Sequence, residues 1–247
     1  MKRDCRLYSG NAALKPGYKR WRGVANIEKL RKIIIGSDAS GAQEAAKAGL
    51  LVMIVDVIDM STTLESALDA GAYAVLGASP DFTRAPVKVM PEEIGKHAAR
   101  LARASGQGII VVAEPRVGTE EERLARCQRL IKGIESERGL IEAIIPNIGA
   151  ETPKLANLKQ KVVVAVSDTG GVAFDAAFVE SPRVVTGTVA RTYRQKGIQP
   201  ALTAVQRVLQ MITAEDKGLA IIAASRNSME DVLAAQFIAN LFLQEQN

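Results

Sequence analysis

The stretch Leu50-Leu51-Val52-Met53-Ile54-Val55-Asp56-Val57-Ile58-Asp59-Met60-Ser61-Thr62-Thr63 decides the fold class of this chain. Its first nine residues form an almost continuous apolar run with many β-branched side chains, which is typical of a strand buried on both faces. Such strands occur in parallel sheets that helices cover on both sides, and residues 62–70 have the pattern of a helix. The stretch therefore predicts an α/β protein with two acidic residues at a strand-to-helix turn.

The same alternation of apolar runs and amphipathic segments continues along the chain. It predicts further strands at 33–35, 73–77, 109–113, 140–145, 161–166, 184–187 and 219–223. Helices separate these strands, and one of the predicted helices runs from Glu120 to Ile134. We therefore expect mostly parallel sheets covered by helices, in two similar α/β lobes. We divide the chain into a basic N-terminal arm, 1–32, and a body, 33–247, with candidate lobes 33–158 and 159–247.

Composition limits the classes of function. Hydrophobic residues make up 47% of the chain and charged residues 24%, which is ordinary for a globular protein, but aromatic residues make up only 4% and leave little material for stacking on bases. The two cysteines lie far apart in sequence and indicate a reducing compartment. The sequence has no apolar run of the roughly 18 residues that a membrane span needs, and no signal peptide is recognised at its start. We expect a cytoplasmic protein that does not enter the membrane.

The positive charge of the chain is concentrated in the arm. Residues 1–32 hold ten Lys or Arg and two acidic residues, a net charge of +8, whereas the whole chain carries +5, so that residues 33–247 sum to −3. A solvated or subunit-contacting extension is the favoured interpretation. Tyr8, Tyr18 and Trp21 lie among these charges and keep a second interpretation open, in which the arm binds phosphate groups or nucleic acid.

Ligands of parallel sheets bind beyond the carboxyl ends of the strands, and the first candidate site is the turn that begins at Asp56. A carboxylate inside an apolar strand is costly unless it is paired or bound. Asp56 and Asp59 suit Mg²⁺, which prefers oxygen ligands, and the hydroxyls of Ser61, Thr62 and Thr63 at a helix start suit a phosphate. The alternative for Thr62 is a capping box with Glu65, which follows three residues later.

Three further turns carry polar side chains at predicted strand ends. Glu114 and Arg116 follow one strand, where the guanidinium suits bidentate contact with phosphate and the alternative is a surface ion pair. Asp168 precedes the glycine pair at 170–171, which lets backbone N–H groups approach an anion or simply makes a tight turn. The last turn carries three candidates, Arg226, Glu230 and Asp231, and the favoured alternative there is helix capping by Asn227 with Glu230 and by Ser228 with Asp231.

Common catalytic motifs are absent from the sequence. His97 is the only histidine, and its polar helical context predicts a solvated side chain. The sequence offers no Ser-His-Asp arrangement, no P-loop and no dinucleotide-binding glycine motif. Chemistry in this chain therefore depends on carboxylates, hydroxyls, arginine and a metal ion.

The order of these turns resembles the family of 2-phosphosulfolactate phosphatases. Residues 52–63 resemble the motif VVVIDVLRATTT of that family, and the likeness extends over about residues 38–243. The other matching segments are Leu68-Asp69-Ala70-Gly71-Ala72 with ALANGA, 112–118 with GERGG, 147–153 with DLGNSP, 164–173 with LTTTNGT and 229–235 with LEDVLAAG. Ile58-Asp59 stands where the family has Leu-Arg, so that a negative group replaces a positive one.

The resemblance implies a Mg²⁺-dependent phosphatase of a small phosphorylated acid, 2-phospho-3-sulfolactate, with a two-lobed α/β fold and a homodimeric assembly. From the residues and the resemblance together we predict three groups of site residues. They are Asp56, Arg116 and Asp168 in catalysis, Ser61, Thr62, Thr63, Gly170, Gly171 and Arg226 in substrate binding, and Asp56, Asp59, Glu114, Glu230 and Asp231 in Mg²⁺ binding.

Two other functions stay open. Asp59 in place of an arginine motivates the first, a catalytically inactive family member that binds a small anion or a nucleotide. The basic arm motivates the second, an RNA-associated protein. We favour a small phosphorylated substrate or anion over nucleic acid as the partner of this chain.

Overall fold

The computed structural model describes residues 32–245 and confirms the α/β fold. Its strands form two four-stranded sheets in which every strand pair is parallel. The strands are β1 (Ile33–Ser37), β2 (Leu51–Val55), β3 (Ala74–Ala78), β4 (Ile109–Ala113), β5 (Ile141–Pro146), β6 (Val162–Val166), β7 (Val184–Gly187) and β8 (Leu219–Ala223). The helices are α1 (Asp38–Lys47), α2 (Met60–Asp69), α3 (Pro91–Ser105), α4 (Glu120–Ala125), α5 (Gln128–Ser136), α6 (Gly170–Glu180), α7 (Gln199–Met211) and α8 (Met229–Glu245), with a 3-10 helix at Gly149–Lys154.

The central strands of both sheets are buried on both faces. The first sheet has the order β1-β8-β2-β7 and the second has the order β3-β6-β4-β5. Every residue of β8, β2, β6 and β4 is buried. Side chains alternate between the faces of a strand, so that Leu51 and Met53 pack with α7 and α8 whereas Val52 and Ile54 pack with the helices on the other side. This two-sided burial explains why these strands are continuous apolar runs in the sequence.

Two helices, α2 and α6, lie between the sheets. Helix α2 packs against β3 and β6 of the second sheet and against β7 of the first, and α6 packs against β3, β2 and β7. Helix α1 lies beside α6 on the first sheet, α7 and α8 cover the outer face of that sheet, and α3 and α5 cover the second. The chain passes from the first sheet to the second through α2 and returns through α6.

The sheets do not follow the expected division at residue 158. Each sheet takes strands from both sides of that residue, because β6 lies between β3 and β4, and β8 lies between β1 and β2. An apolar run shows that a strand is buried but not which sheet it joins. The arm lies outside the described residues except for Lys32, whose carbonyl accepts a hydrogen bond from the N–H of Leu219 at 2.9 Å.

The single helix expected from Glu120 to Ile134 is instead two helices, α4 and α5, with a break at residues 126–127. The side chain of Asp81 accepts hydrogen bonds from the N–H groups of Gln128 and Arg129, at 2.6 and 3.2 Å, and so satisfies a new helix N-terminus. No helix within residues 32–245 has the length and apolar character that crossing a membrane requires.

Candidate functional site

Asp56 joins the turn after β2 to the start of α6. Its carboxylate is 3% exposed and accepts hydrogen bonds from the N–H of Asp59 at 3.0 Å, from the hydroxyl of Thr169 at 3.0 Å and from the N–H of Gly170 at 2.8 Å. Burial raises the pKa of Asp56, and these hydrogen bonds oppose the rise. The expected cost of a carboxylate in an apolar strand is therefore met by donors from two segments that lie far apart in sequence.

The glycine pair at the start of α6 serves this contact and the packing of the helix. A Cβ atom on Gly170 would collide with the carboxylate of Asp56, and one on Gly171 would collide with the carbonyl oxygen of Ala78 at the end of β3. The N–H of Gly171 donates to the hydroxyl of Ser167 at 2.9 Å. The anion that the N–H of Gly170 holds in this structure is the carboxylate of Asp56 itself.

Asp59 lies half-buried beside two other carboxyl groups. Burial raises its pKa to about 7, and the charges of Asp56 and Glu114 and a hydrogen bond with Glu114 act in the same direction, whereas the charge of Arg116 opposes them. The side-chain amide of Asn147 donates a hydrogen bond to Asp59. Asp59 and Glu114 therefore form an acidic pair, in which Asp59 holds a proton close to neutral pH.

Asn147 connects the parts of the site, and the sequence reasoning did not include it among the site residues. It is 1% exposed and follows β5 directly. Its side-chain oxygen accepts from the hydroxyl of Thr63 and from the N–H of Gly149, and its backbone oxygen accepts from Nε of Arg116 at 2.9 Å. A buried amide at the carboxyl end of a strand was the signal that could have identified it.

The three hydroxyls predicted to bind substrate form hydrogen bonds with other groups of the protein. Ser61 donates to the carbonyl of Ile54 and accepts from the N–H of Asp56, both at 3.0 Å. Thr62 donates to the carbonyl of Val57 at 2.5 Å and shares a hydrogen bond with Thr188 at 2.8 Å. The third hydroxyl, that of Thr63, donates to Asn147, so that all three hold the β2–α2 turn in place.

The capping box expected at Thr62 is not formed, because α2 begins at Met60 and Thr62 already lies inside its first turn. Glu65 instead accepts from the hydroxyl of Thr186 at 2.6 Å and from the guanidinium of Arg207 at 2.5 Å. These contacts fix α2 against the end of β7.

Asp168 and Arg116 lie at the surface. Asp168 is exposed and forms an ion pair with Arg126, and it is the next residue, Thr169, that contacts Asp56. Arg116 is exposed and is held through Nε by the backbone of Asn147. Of the three predicted catalytic residues, Asp56 and Arg116 thus belong to one network through Asp59 and Asn147, and Asp168 has a different ion-pair partner.

The three candidate residues of the fourth turn have different surroundings and do not form one site. Asp231 is 4% exposed and accepts from the N–H of Val57 at 2.8 Å, and burial together with the charge of Asp56 raises its pKa to about 6. Glu230 is exposed, and Arg226 forms an ion pair with Asp38 at the start of α1. Asp231 alone of this group therefore contacts the β2–α2 turn.

The five predicted metal ligands do not form one ligand group. Within residues 32–245 no three Asp, Glu, His or Cys side chains are arranged to hold a metal ion. Asp56 and Asp231 accept hydrogen bonds from backbone N–H groups, whereas Asp59 and Glu114 remain as an acidic pair. Mg²⁺ is often held by one or two carboxylates together with water and substrate phosphate, and a pair of this kind fits that mode of binding.

His97 is not solvated as expected. It lies half-buried against the ring of Phe178, with 5.1 Å between the ring centroids, and burial lowers its pKa to about 4. The imidazole is therefore neutral at neutral pH, and it lies on α3, outside the network described above.

The candidate site thus consists of the acidic pair, the exposed guanidinium of Arg116 and the amide of Asn147, at the carboxyl ends of β2, β4 and β5. Comparison of the chain with protein-family models, with curated proteins and with solved structures found no match.

Proposed function

We propose that this chain is a phosphoric monoester hydrolase that acts on a small phosphorylated acid, with Mg²⁺ bound at Asp59 and Glu114. One observation carries the proposal. Asp59, whose pKa burial raises to about 7, lies beside Glu114 and the guanidinium of Arg116, at the edge where parallel α/β sheets bind their ligands. A carboxyl group with its pKa raised by burial and by a like charge is typical of a functional site.

The acidic pair suits a divalent cation. Two carboxyl groups in contact repel each other when both are ionised, and a bound cation would relieve that repulsion in place of the proton on Asp59. When bound, Mg²⁺ supplies positive charge that polarises a phosphoryl group and orients water. The amide of Asn147 donates to Asp59 and thereby fixes the orientation of this carboxylate toward Glu114.

Arg116 supplies the anion-binding part of the site. A guanidinium suits the geometry of phosphate oxygens, and contact with the backbone of Asn147 limits the conformations of this side chain. Asp56 has a positioning role in this proposal, because its carboxylate holds the β2–α2 turn against the start of α6. Asp59 stands where the resembled family has an arginine, and this exchange increases the dependence of phosphate binding on the cation.

The direct test is release of inorganic phosphate from a panel of phosphomonoesters with and without Mg²⁺. We expect Asp59→Asn, Glu114→Gln and Arg116→Ala each to lower kcat/KM by about 100-fold or more, since each removes a charge that faces the phosphoryl group. Glu135→Gln and Arg103→Ala, at exposed positions of α5 and α3, serve as matched controls. A folded protein that releases no phosphate from any member of the panel contradicts the proposal.

A second test measures the cation without turnover. Because the ligands bind Mg²⁺ in their ionised form, its affinity should rise with pH up to about 7, the pKa of Asp59, and level off above it. Titration calorimetry of the wild type and of Asp59→Asn measures this dependence. Equal affinity in the two proteins rules out Asp59 as a ligand.

One observation favours the alternative of a binding protein without catalysis. Asp56 and the hydroxyls of the first turn of α2 all have partners within the fold, so that they rigidify the turn. Thermal stabilisation by phosphorylated metabolites without any phosphate release supports this alternative. The RNA-associated alternative depends on residues 1–31, which lie outside the described residues, and it stays a prediction, as does the homodimer.

A further inference from the structure

Helix α4 buries an arginine at the position where an amphipathic helix normally buries an apolar side chain. Of the residues of α4, Arg123 alone is buried, at 8% exposure, whereas the neighbouring Leu124 is 37% exposed. A helix that packs on a sheet normally turns its apolar side chains inward. A buried arginine is costly, because its guanidinium stays charged and its N–H groups need acceptors. The partners of Arg123 therefore indicate why this residue type is buried here.

Arg123 binds both ends of the β4–α4 loop, residues 114–118. Its Nη1 donates to the carbonyl of Pro115 and to the carbonyl of Gly118, both at 3.1 Å. These two carbonyls lie on either side of Arg116, which is exposed at the tip of the loop. A Cβ atom on Gly118 would collide with the ring of Pro115, so that the ends of the loop are in close contact above one guanidinium.

One N–H of this guanidinium has no acceptor. Nε of Arg123 is buried and lacks a hydrogen-bond partner among residues 32–245. A buried donor without an acceptor costs about 1–3 kcal/mol, and arginine is rarely buried unless a carboxylate pairs with it. Arg123 thus gives the fold less stability than a paired arginine would. A local choice that costs stability is expected at functional sites, where the residue has another role.

We propose that Arg123 is a positioning residue of the candidate site, an inference that rests on the function proposed above. The β4–α4 loop supplies both Glu114 of the acidic pair and Arg116. Arg123 holds the ends of this loop, and the backbone of Asn147 holds Nε of Arg116 at its tip. The carboxylate and the guanidinium therefore keep a fixed spacing before a ligand binds, which reduces the conformational freedom that binding must remove.

The first measurement follows Arg116 without any ligand. In isotopically labelled protein, the NMR signal of its Nε–H is assigned by its loss in Arg116→Ala, and its hydrogen bond to Asn147 should protect it from exchange. Arg123→Met removes the donors and keeps much of the side-chain length. We expect it to accelerate exchange of this N–H by about 10-fold or more, and Arg123→Lys, which keeps a donor, to have a smaller effect. Unchanged exchange in Arg123→Met overturns the inference.

The second measurement is titration calorimetry with inorganic phosphate as the probe, in the presence of Mg²⁺. We expect Arg123→Met to weaken phosphate binding by about 10-fold, because the loop must then become ordered on binding. Arg123→Lys should restore part of the affinity. Arg116→Ala should have a smaller effect in the Arg123→Met background than in the wild type, since both changes disable the same group. Additive effects overturn the inference.

Arg183→Met is the matched control. Arg183 is a half-buried arginine that forms an ion pair with Asp216 and donates to the carbonyl of Met211, and it lies at the amino end of β7, away from the carboxyl ends that carry the candidate site. We expect Arg183→Met to lower the melting temperature and to leave both the phosphate affinity and the signal of Arg116 unchanged. Equal losses of affinity in Arg123→Met and Arg183→Met overturn the inference.

Failure of this inference differs from failure of the proposed function. A wild-type protein that binds neither Mg²⁺ nor phosphate, but in which the exchange of the Arg116 Nε–H depends on Arg123, contradicts the proposed function and supports the role of Arg123 in the loop. A wild-type protein that binds both probes, with affinities that Arg123→Met does not change, supports the proposed function and overturns the inference.

Discussion

Asp56 and Asp59 lie three residues apart in one turn, and burial raises the pKa of both carboxyl groups. Their surroundings differ. Asp56 accepts three hydrogen bonds from the fold, which stabilise its ionised form, whereas Asp59 faces Glu114 and the charge of Asp56. Asp56 therefore anchors the turn, and Asp59 is the group that changes its protonation close to neutral pH.

This difference gives stability a measurable pH dependence. Asp59 ionises near 3.8 in the unfolded chain and near 7 in the fold, so that between these values the folded state binds more protons and the free energy of unfolding falls as pH rises. We expect Asp59→Asn to remove part of this slope and to stabilise the protein at neutral pH by on the order of 2 kcal/mol. Urea unfolding at a series of pH values measures it, in the absence of Mg²⁺. A variant with the wild-type slope contradicts the assignment.

We expect Asn147 to contribute more to the free energy of unfolding than the packing of its small side chain alone would. Asn147→Ala leaves buried partners around Thr63 and Asp59 without their hydrogen bonds, which should cost about 2–3 kcal/mol of unfolding free energy. Asn157→Ala is the matched control at an exposed asparagine, and it should change the free energy of unfolding by about 0.5 kcal/mol or less. Chemical denaturation of the two variants compares these effects. Equal stabilities would show that Asn147 is not the hub of the network.

The sequence could identify Asp56 as a special residue, because a carboxylate inside an apolar strand needs a partner. It could not identify the partners of Thr62 and Thr63, because Thr188 and Asn147 come from distant segments. Asp168 was the predicted acid of its turn, yet its neighbour Thr169 makes the contact with Asp56. Which of two adjacent side chains faces inward depends on the backbone of the turn, and this is not visible in residue type.

At the scale of elements, the close approach of α6 to the β2–α2 turn depends on a missing side chain. In Gly170→Ala, the added Cβ meets Asp56 and Met60, so that the start of α6 must move and the free energy of unfolding should fall by about 2 kcal/mol. Gly41→Ala in α1 meets no atom within 4 Å and should instead stabilise the protein by about 0.5–1 kcal/mol. Thermal unfolding of both variants distinguishes them. A harmless Gly170→Ala would show that the contact is loose.

The buried strands were predictable as elements, because burial on both faces leaves a continuous apolar run in the sequence. The break between α4 and α5 was not, since Asp81 caps α5 from more than forty residues away and the local pattern around 126–127 continues to favour a helix. The absence of charged residues from 232 to 244 is visible in the sequence, but only the structure shows that Leu233 and Phe237 are exposed there.

At the scale of the whole molecule, α2 and α6 each bury side chains against both sheets. Unfolding of one sheet would therefore also expose the apolar side chains that these helices pack against the other sheet. We therefore predict one cooperative unfolding unit. Native-state hydrogen exchange should give the amides of β2 and of β6 the same free energy of opening, close to that of global unfolding. Separate opening of one sheet at low denaturant would show two independent units.

The order of strands has a consequence for how the chain is made. Strand β1 pairs only with β8, and 186 residues separate Ile33 from its partner Leu219. During synthesis, β1 therefore has no partner strand until about 186 further residues have been translated. Such long-range pairing slows folding and leaves a row of three isoleucines open to other nascent chains. We therefore expect this one edge strand to be a segment that chaperones protect during translation.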